Sequence, residues 1–228
     1  DYYTFMGQSA LDFEEKIKVT SSLIYSASVM KGFKKPIYIA VDEWGILGRN
    51  FLSVLPIAQC FNSFIRNADV VKMANFTLLT SLLQEDREKG TFKTPLFYIF
   101  KLFSNNCRGK SVDTYIECDI FNTEKYKGIS FLDVTTVYSE ETNTVYINVV
   151  NRHKDNSITA DIINTAYSFA GKAEAKIINS NSLDETFTFE KKEEYIPATK
   201  EIKISGNKIS FTFPAHSFTQ IKAEIIKK

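Results

Sequence analysis

The chain has 228 residues, enough for one large domain or two ordinary ones with a sizeable core. Hydrophobic residues make up 44% and charged residues 24%, the proportions of a globular protein, while 14% aromatic leans toward a strand-rich or sugar-handling one. With 28 basic and 27 acidic residues, neither sign segregated, the formal charge of +1 provides no electrostatic footprint for nucleic acid or an anionic membrane, and both are set aside as partners.

Cys60, Cys107 and Cys118 are odd in number and share neither a CxxC nor a Cys/His ligand spacing, which argues against a disulfide framework and a zinc site. Reduced, structural thiols are expected, and a cytoplasmic location fits them. No apolar run reaches the roughly 18 residues of a membrane span. The opening DYYTFMGQSA has neither a basic n-region nor an apolar h-region, lacks an initiator Met, and reads as the interior of a longer chain.

Taken in order, residues 10–32 read as a helix, with Phe13, Ile17, Leu23, Ile24, Ala27 and Met30 on roughly one face and Gly32 at its end. After Pro36, PIYIAV is a continuous apolar strand of the kind buried on both faces in a parallel sheet. It stops at Asp42, Glu43 and Trp44, followed by a loop holding Gly45 and Gly48. Ser53 can cap a second helix with Pro56 in its first turn, and DVVKMA, residues 69–74, forms another short strand. From Ile37 to Asp69 the chain therefore runs strand, helix, strand at the spacing of a βα unit in an eightfold barrel, where about 250 residues divide among eight units. A third helix opens at Thr94 and Pro95 and runs through LFYIFKLFS.

Beyond Asn105 the period changes to two. VDTYIECDI, FLDVTTVYS, TVYINVVN, SITADIINTAYSF, AEAKIINS, ETFTFE, KEIKIS, KISFTF and HSFTQIKAEI are β-branched or aromatic runs separated by turns such as EETN, HKDN and GN. Strands at that spacing indicate an antiparallel sandwich. The reading is thus α/β followed by all-β: the last units of a (β/α)8 barrel over 1–104, then a jelly-roll-like β-sandwich over 105–228. The cluster EKKEE, residues 190–194, is read as a solvated loop.

In barrels, catalytic side chains stand at the carboxyl ends of strands, where the loops leave room for substrate. Asp42 and Glu43 stand on that rim. A carboxylate there can be tuned by partial desolvation and neighbours for work as a nucleophile or a general acid. Trp44 beside it offers a flat apolar face for a sugar ring, and the trio fits glycoside hydrolysis by two carboxylates. Acids at strand ends also serve as helix caps or solvate loops, so the motif is weighed with its context. His153 and His216 lie away from the rim without a metal partner at ligand spacing and read as structural.

IAVDEWGI, AQCFNSFIRNADVVKMANF, KTPLFYIFKLFSNN, LDVTTVYSEETNTVYINVVNRHKD and FPAHSFTQI, in that order, resemble the carboxyl-terminal part of glycoside hydrolase family 51, the α-L-arabinofuranosidases. The resemblance covers nearly the whole chain. It implies a (β/α)8 barrel followed by a β-sandwich, retaining hydrolysis of arabinofuranosides, a homo-oligomer in the intact family, and no cofactor or metal, since two carboxylates suffice for the chemistry. By that resemblance Glu43 matches the nucleophile ending the seventh barrel strand, Trp44 would shape the sugar subsite, and Asp42 would hydrogen-bond loop backbone or orient its neighbour rather than touch the substrate directly.

The sequence also departs from the family. The acid/base glutamate of the family belongs to an Asn-Glu pair ending the fourth barrel strand, and no such segment occurs in these residues. Asp12, Glu14 and Glu15 start a helix, Asp69 begins a strand at the opposite rim, and Glu85, Asp86 and Glu88 follow a helix in a charged loop, so none is expected about 5 Å from Glu43. The acid/base must then come from an amino-terminal barrel segment or a companion chain. Leu47 and Leu78 stand where the family commonly has an aromatic and a glutamine, while Asn75 keeps its Met-Ala-Asn run. Two other functions stay open: a carbohydrate-binding or assembly module with an inert barrel remnant, and a retaining glycosidase of other specificity, such as a β-xylosidase or endoglucanase.

Overall fold

The computed structural model describes residues 1–46, 49–77 and 79–226. Helix α1, Tyr2–Lys31, begins earlier than the periodicity indicated because Asp1 caps it, its Oδ1 accepting from the Thr4 N–H at 2.8 Å. Gly32 ends it in a left-handed conformation, φ 66°. Met6, Ala10 and Ile17 are buried, but Leu23 and Met30 are 65% and 82% exposed, so the expected apolar stripe is covered by this chain only along its first half. At Gly7 the helix approaches a neighbouring hairpin so closely that a Cβ would lie 2.8 Å from Ile129.

Strand β1, Ile39–Trp44, pairs in parallel with β2, Val71–Phe76. Between them run a short 3-10 turn, Phe51–Ser53, and α2, Val54–Arg66. Ser53 does not cap α2 with its side chain; its hydroxyl donates instead to the Asn50 carbonyl at 2.6 Å. The expectation that PIYIAV is buried on both faces also fails: Ile37 and Tyr38 are about half exposed, and on the adjoining strand Met73 is 53% exposed. The cause is that only two parallel strands pair here among the described residues, whereas a closed barrel covers both edges and the inner face.

A single helical turn α3, Leu79–Leu82, leads into an antiparallel hairpin of β3, Leu83–Asp86, and β4, Gly90–Lys93, where the sequence suggested a charged loop for Glu85, Asp86 and Glu88. Leu83 and Phe92 turn inward, and the Asp86 carboxylate accepts from the N–H groups of Glu88 and Lys89 to close the turn. Helix α4, Pro95–Asn106, follows, with Thr94 donating from its hydroxyl to the carbonyls of Ser81 and Leu82.

The second half is one eight-stranded antiparallel sheet folded on itself. Its strands are β5 Lys110–Val112, β8 Leu132–Ser139, β9 Thr144–Asn151, β10 Ile158–Ile163, β11 Ser168–Ile178, β12 Ala198–Ser205, β13 Lys208–Phe213 and β14 Ser217–Ile226, in the order β10-β13-β12-β11-β14-β9-β8-β5. A two-stranded hairpin, β6 Ile120–Phe121 with β7 Ile129–Ser130, seats α1. Strand β12 turns the corner: residues 198–203 pair with β11, and Ile204 and Ser205 pair with β13. Ile209, Phe211 and Phe213 of β13 thereby share a core with Ile147, Val149, Ile221 and Ala223 from the other layer. The expected SITADIINTAYSF strand is two strands, and ETFTFE is not in the sheet at all.

Alternation along β9 and β14 decides what joins the halves. Ile147, Val149 and Ile221 face the sandwich core, whereas Val150 and Phe218 belong to a second core with Leu55, Ile57, Leu96, Ile99 and Phe103 from α2 and α4. Polar neighbours on that same outer face make hydrogen bonds across the junction: Asn62 Nδ2 donates to Asp133, Thr135 donates to Asn62, and Asn106 donates to Gln220.

Candidate active site at the end of the first strand

Pairing is regular from Ala40 with Met73 to Val41 with Ala74, and then the register shifts before Trp44 meets Phe76. Asp42 and Glu43 together thus stand opposite the single residue Asn75, a β-bulge that breaks strict alternation. Its consequence is that Val41 and Trp44, three apart, both turn to the helix-covered side, while Asp42 and Glu43 are both exposed. Bulges of this kind re-aim side chains, and here the side chains are two carboxylates.

Trp44 is not where a sugar platform would be. It is 6% exposed, edge-on to Phe61, Phe64 and Phe76 with centroids 4.9–5.2 Å away, and stacked on Phe100 at 5.6 Å. The expectation of a direct sugar contact is corrected accordingly: the indole anchors the end of β1 in the core. Its carbonyl accepts from both the N–H and the hydroxyl of Thr77, at 3.2 and 3.1 Å, and Ser81 Oγ donates to the Ile46 carbonyl at 3.4 Å. The loops leaving β1 and β2 are therefore clipped together at one rim. Gly45 has φ 141°, a conformation that glycine alone adopts readily, and lets the chain turn directly after Trp44.

Among the described residues, Asp42 and Glu43 make no side-chain hydrogen bond or ion pair, so the backbone is restrained while the carboxylates remain free to meet a ligand. The other acids of this half lie elsewhere. Glu14 is ion-paired with Arg66 at 2.9 Å, Asp12 and Glu15 engage Lys125 and Tyr126, Glu85 and Asp86 lie in the hairpin, and Asp69 precedes β2 at the opposite rim. A single rim carboxylate can attack or accept a proton, but a double displacement needs a second carboxyl about 5 Å away. Leu47 and Leu78, where the sequence departs from the family, lie outside the described residues. Among those residues no cluster of His, Cys, Asp and Glu could hold a metal ion.

Sequence reasoning missed the Thr77 and Ser81 clip and a further contact from the second half. The bridge between Asn50 and Thr186 and three flanking backbone hydrogen bonds tie residues 49–52 to residues 183–187. The alternating ETFTFE forms no strand of the sheet; Thr186 within it makes a single bridge to Asn50 in the loop after β1.

A pair of parallel strands with helices on one side, continued into an antiparallel sandwich, defines the chain as the closing part of an α/β barrel with an appended β-sandwich. Residues 42–217 match the model of the alpha-L-arabinofuranosidase C-terminal domain, and the chain belongs to that family. It is 23% identical over 183 residues to an intracellular exo-alpha-(1->5)-L-arabinofuranosidase of Halalkalibacterium halodurans, covering 69% of this chain and 36% of that protein. Its fold is that of a family 51 alpha-L-arabinofuranosidase from Bifidobacterium longum, with a TM-score of 0.86 at 18% identity over 97% of this chain and 48% of that one. An arabinose complex of the alpha-L-arabinofuranosidase from Thermotoga maritima gives 0.83 at 20% identity, over 99% and 50%. The chain thus spans between a third and a half of the length of these relatives.

Proposed function

We propose that this chain supplies the nucleophile half of a retaining α-L-arabinofuranosidase that releases terminal arabinofuranose from plant oligosaccharides or polysaccharides. Glu43 attacks the anomeric carbon and forms a covalent arabinosyl-enzyme. A glutamic acid on an amino-terminal barrel segment or companion chain protonates the leaving oxygen and then activates the water. The observation that carries this reading is the exposed Glu43 on a bulged, clipped strand end, within a chain whose family model matches from Asp42 onward. Residues 1–104 are the barrel part and 105–228 the sandwich, working in a homo-oligomer. An intracellular location follows the three unpaired thiols and the name of the Halalkalibacterium relative.

The test is to treat the intact protein that contains this chain with an arabinofuranose-configured epoxide and map the adduct by peptide mass spectrometry. The adduct is expected on Glu43. An adduct elsewhere, or aryl xyloside turnover equal to aryl arabinofuranoside turnover, would overturn the assignment.

A further inference from the structure

We propose that residues 183–187 of the sandwich half are a positioning strap for the segment that follows β1, the strand carrying Glu43, with Phe187 as its anchor; this rests on the reading of Glu43 as nucleophile. The loop is fastened at two ends. At Trp44 it is fastened within the barrel half, by Thr77. At residues 49–52 it is fastened by the other half: the Phe51 N–H donates to the Glu185 carbonyl at 3.1 Å, the Leu52 N–H to the Leu183 carbonyl at 2.8 Å, and the Phe187 N–H to the Arg49 carbonyl at 2.9 Å. Residues on either side of the Asn50 and Thr186 bridge thus exchange hydrogen bonds as in a two-stranded ladder, outside any regular sheet.

The strap is itself held. Phe187 is 5% exposed and packs edge-on to Tyr195, whose hydroxyl oxygen accepts from the Thr188 N–H at 2.7 Å. The Glu185 carboxylate accepts from Lys191 Nζ at 2.7 Å and from the Ser180 hydroxyl, which closes the strap across its base. Phe51, which directly follows the bridged residue, is 2% exposed in the same core. Nothing in the chemistry of two carboxylates requires a sandwich domain, yet this one reaches the backbone six residues beyond the nucleophile. Misplacing a reacting group by about 1 Å costs roughly 100-fold in rate, so a strap that fixes this backbone bears on the attack itself.

In the intact protein, three variants separate positioning from bulk stability: Phe187→Ala, Phe187→Leu and Ile225→Ala, the last removing a comparable side chain from the sandwich core away from the loop. Two readouts are the rate at which Glu43 is labelled by the arabinofuranose-configured epoxide and the hydrogen exchange of the amides of residues 49–52. Phe187→Ala is expected to speed that exchange and slow the labelling step about 10- to 100-fold with little change in inhibitor binding. Phe187→Leu should recover most of the rate, and Ile225→Ala should leave it unchanged. Faster exchange with labelling at the wild-type rate, or equal slowing by Ile225→Ala, would overturn the strap while leaving Glu43 as nucleophile. Wild-type protein that takes no label on Glu43 would overturn the nucleophile assignment itself, and the strap with it.

Discussion

Arg66 Nη1 lies 2.8 Å from Asp133 Oδ1, so the last residue of α2 is ion-paired to a strand of the sandwich. Asp133 is 4% exposed and also meets Arg152 Nη2 at 3.3 Å and Asn62 Nδ2 at 3.1 Å. Arg66 in turn holds Glu14 of α1, and Arg152 donates from Nε to Gln59 at 2.7 Å. One buried carboxylate therefore ties two helices to β8 and to Arg152 just after β9, which makes the halves a single packing unit at this junction.

Replacing Asp133 by Ala leaves the buried Arg152 guanidinium without its carboxylate, and breaking a buried pair on one side costs about 3–5 kcal/mol. Asp133→Ala is expected to lose that much in urea denaturation, with both halves unfolding together. Loss of less than about 1 kcal/mol would show that the network is dispensable.

The same network sets an acid limit. Burial alone would raise the carboxyls of Asp133 and Glu14, but Arg152 and Arg66 outweigh it at Asp133, and Arg66 with Lys18 outweighs it at Glu14; both are held below their ordinary values of 3.8 and 4.5. A depressed folded-state value contributes stability above the unfolded value, which is lost as the pH falls through the folded one. The urea midpoint should thus be flat above about pH 5 and fall below about pH 4. Asp133→Asn should weaken that fall, and an unchanged slope would refute the assignment.

The elements with strong local signals were legible in the sequence: α2 and α4 by apolar spacing, and β8 and β9 by alternation around EETN, whereas the strand expected over PIYIAV, residues 36–41, is found at Ile39–Trp44 and takes in Asp42 and Glu43. What was not legible depends on contacts distant in sequence. Beside two acids, Trp44 reads as a face for a sugar ring, and only the bulge opposite Asn75 turns it inward. The ETFTFE run read as sheet because alternation reports a strand-like backbone without naming its partner, which is the loop at Asn50. The bare faces of β1 and of the second half of α1 could not be foreseen from residues whose own apolar pattern calls for burial.

Trp44→Ala removes a ring packed against four phenylalanines and should cost about 3–5 kcal/mol, the usual range for a large core truncation. Trp44→Phe should cost much less, because the indole N–H finds no acceptor among the described residues and its loss removes an unpaired donor. Differential scanning calorimetry ranks the two. Wild-type stability in the Ala variant with a raised KM would restore the sugar-contact role.

Burial pushes the Cys60 and Cys107 thiols up to about 12, so at pH 8 almost none of either is the reactive thiolate. Cys118 is only partly buried in the segment before β6. An Ellman titration of the native protein is expected to count one fast thiol in this chain and, after guanidinium is added, three. Rapid reaction of all three in the native state would mean that the junction around Cys107 opens freely.

Glu43→Gln separates chemistry from architecture. The side chain is exposed and makes no hydrogen bond among the described residues, so its replacement should change stability by less than about 0.5 kcal/mol. Loss of a nucleophile, by contrast, is expected to lower turnover by about four orders of magnitude or more. In the intact protein, arabinofuranoside hydrolysis should disappear while the unfolding midpoint stays in place. Retained turnover would return Glu43 to the class of loop-solvating acids and place the nucleophile elsewhere. A shifted midpoint with lost turnover would mean that Glu43 supports the rim it stands on, and covalent trapping on the wild-type protein would then distinguish the two roles, since only a nucleophile carries the sugar adduct.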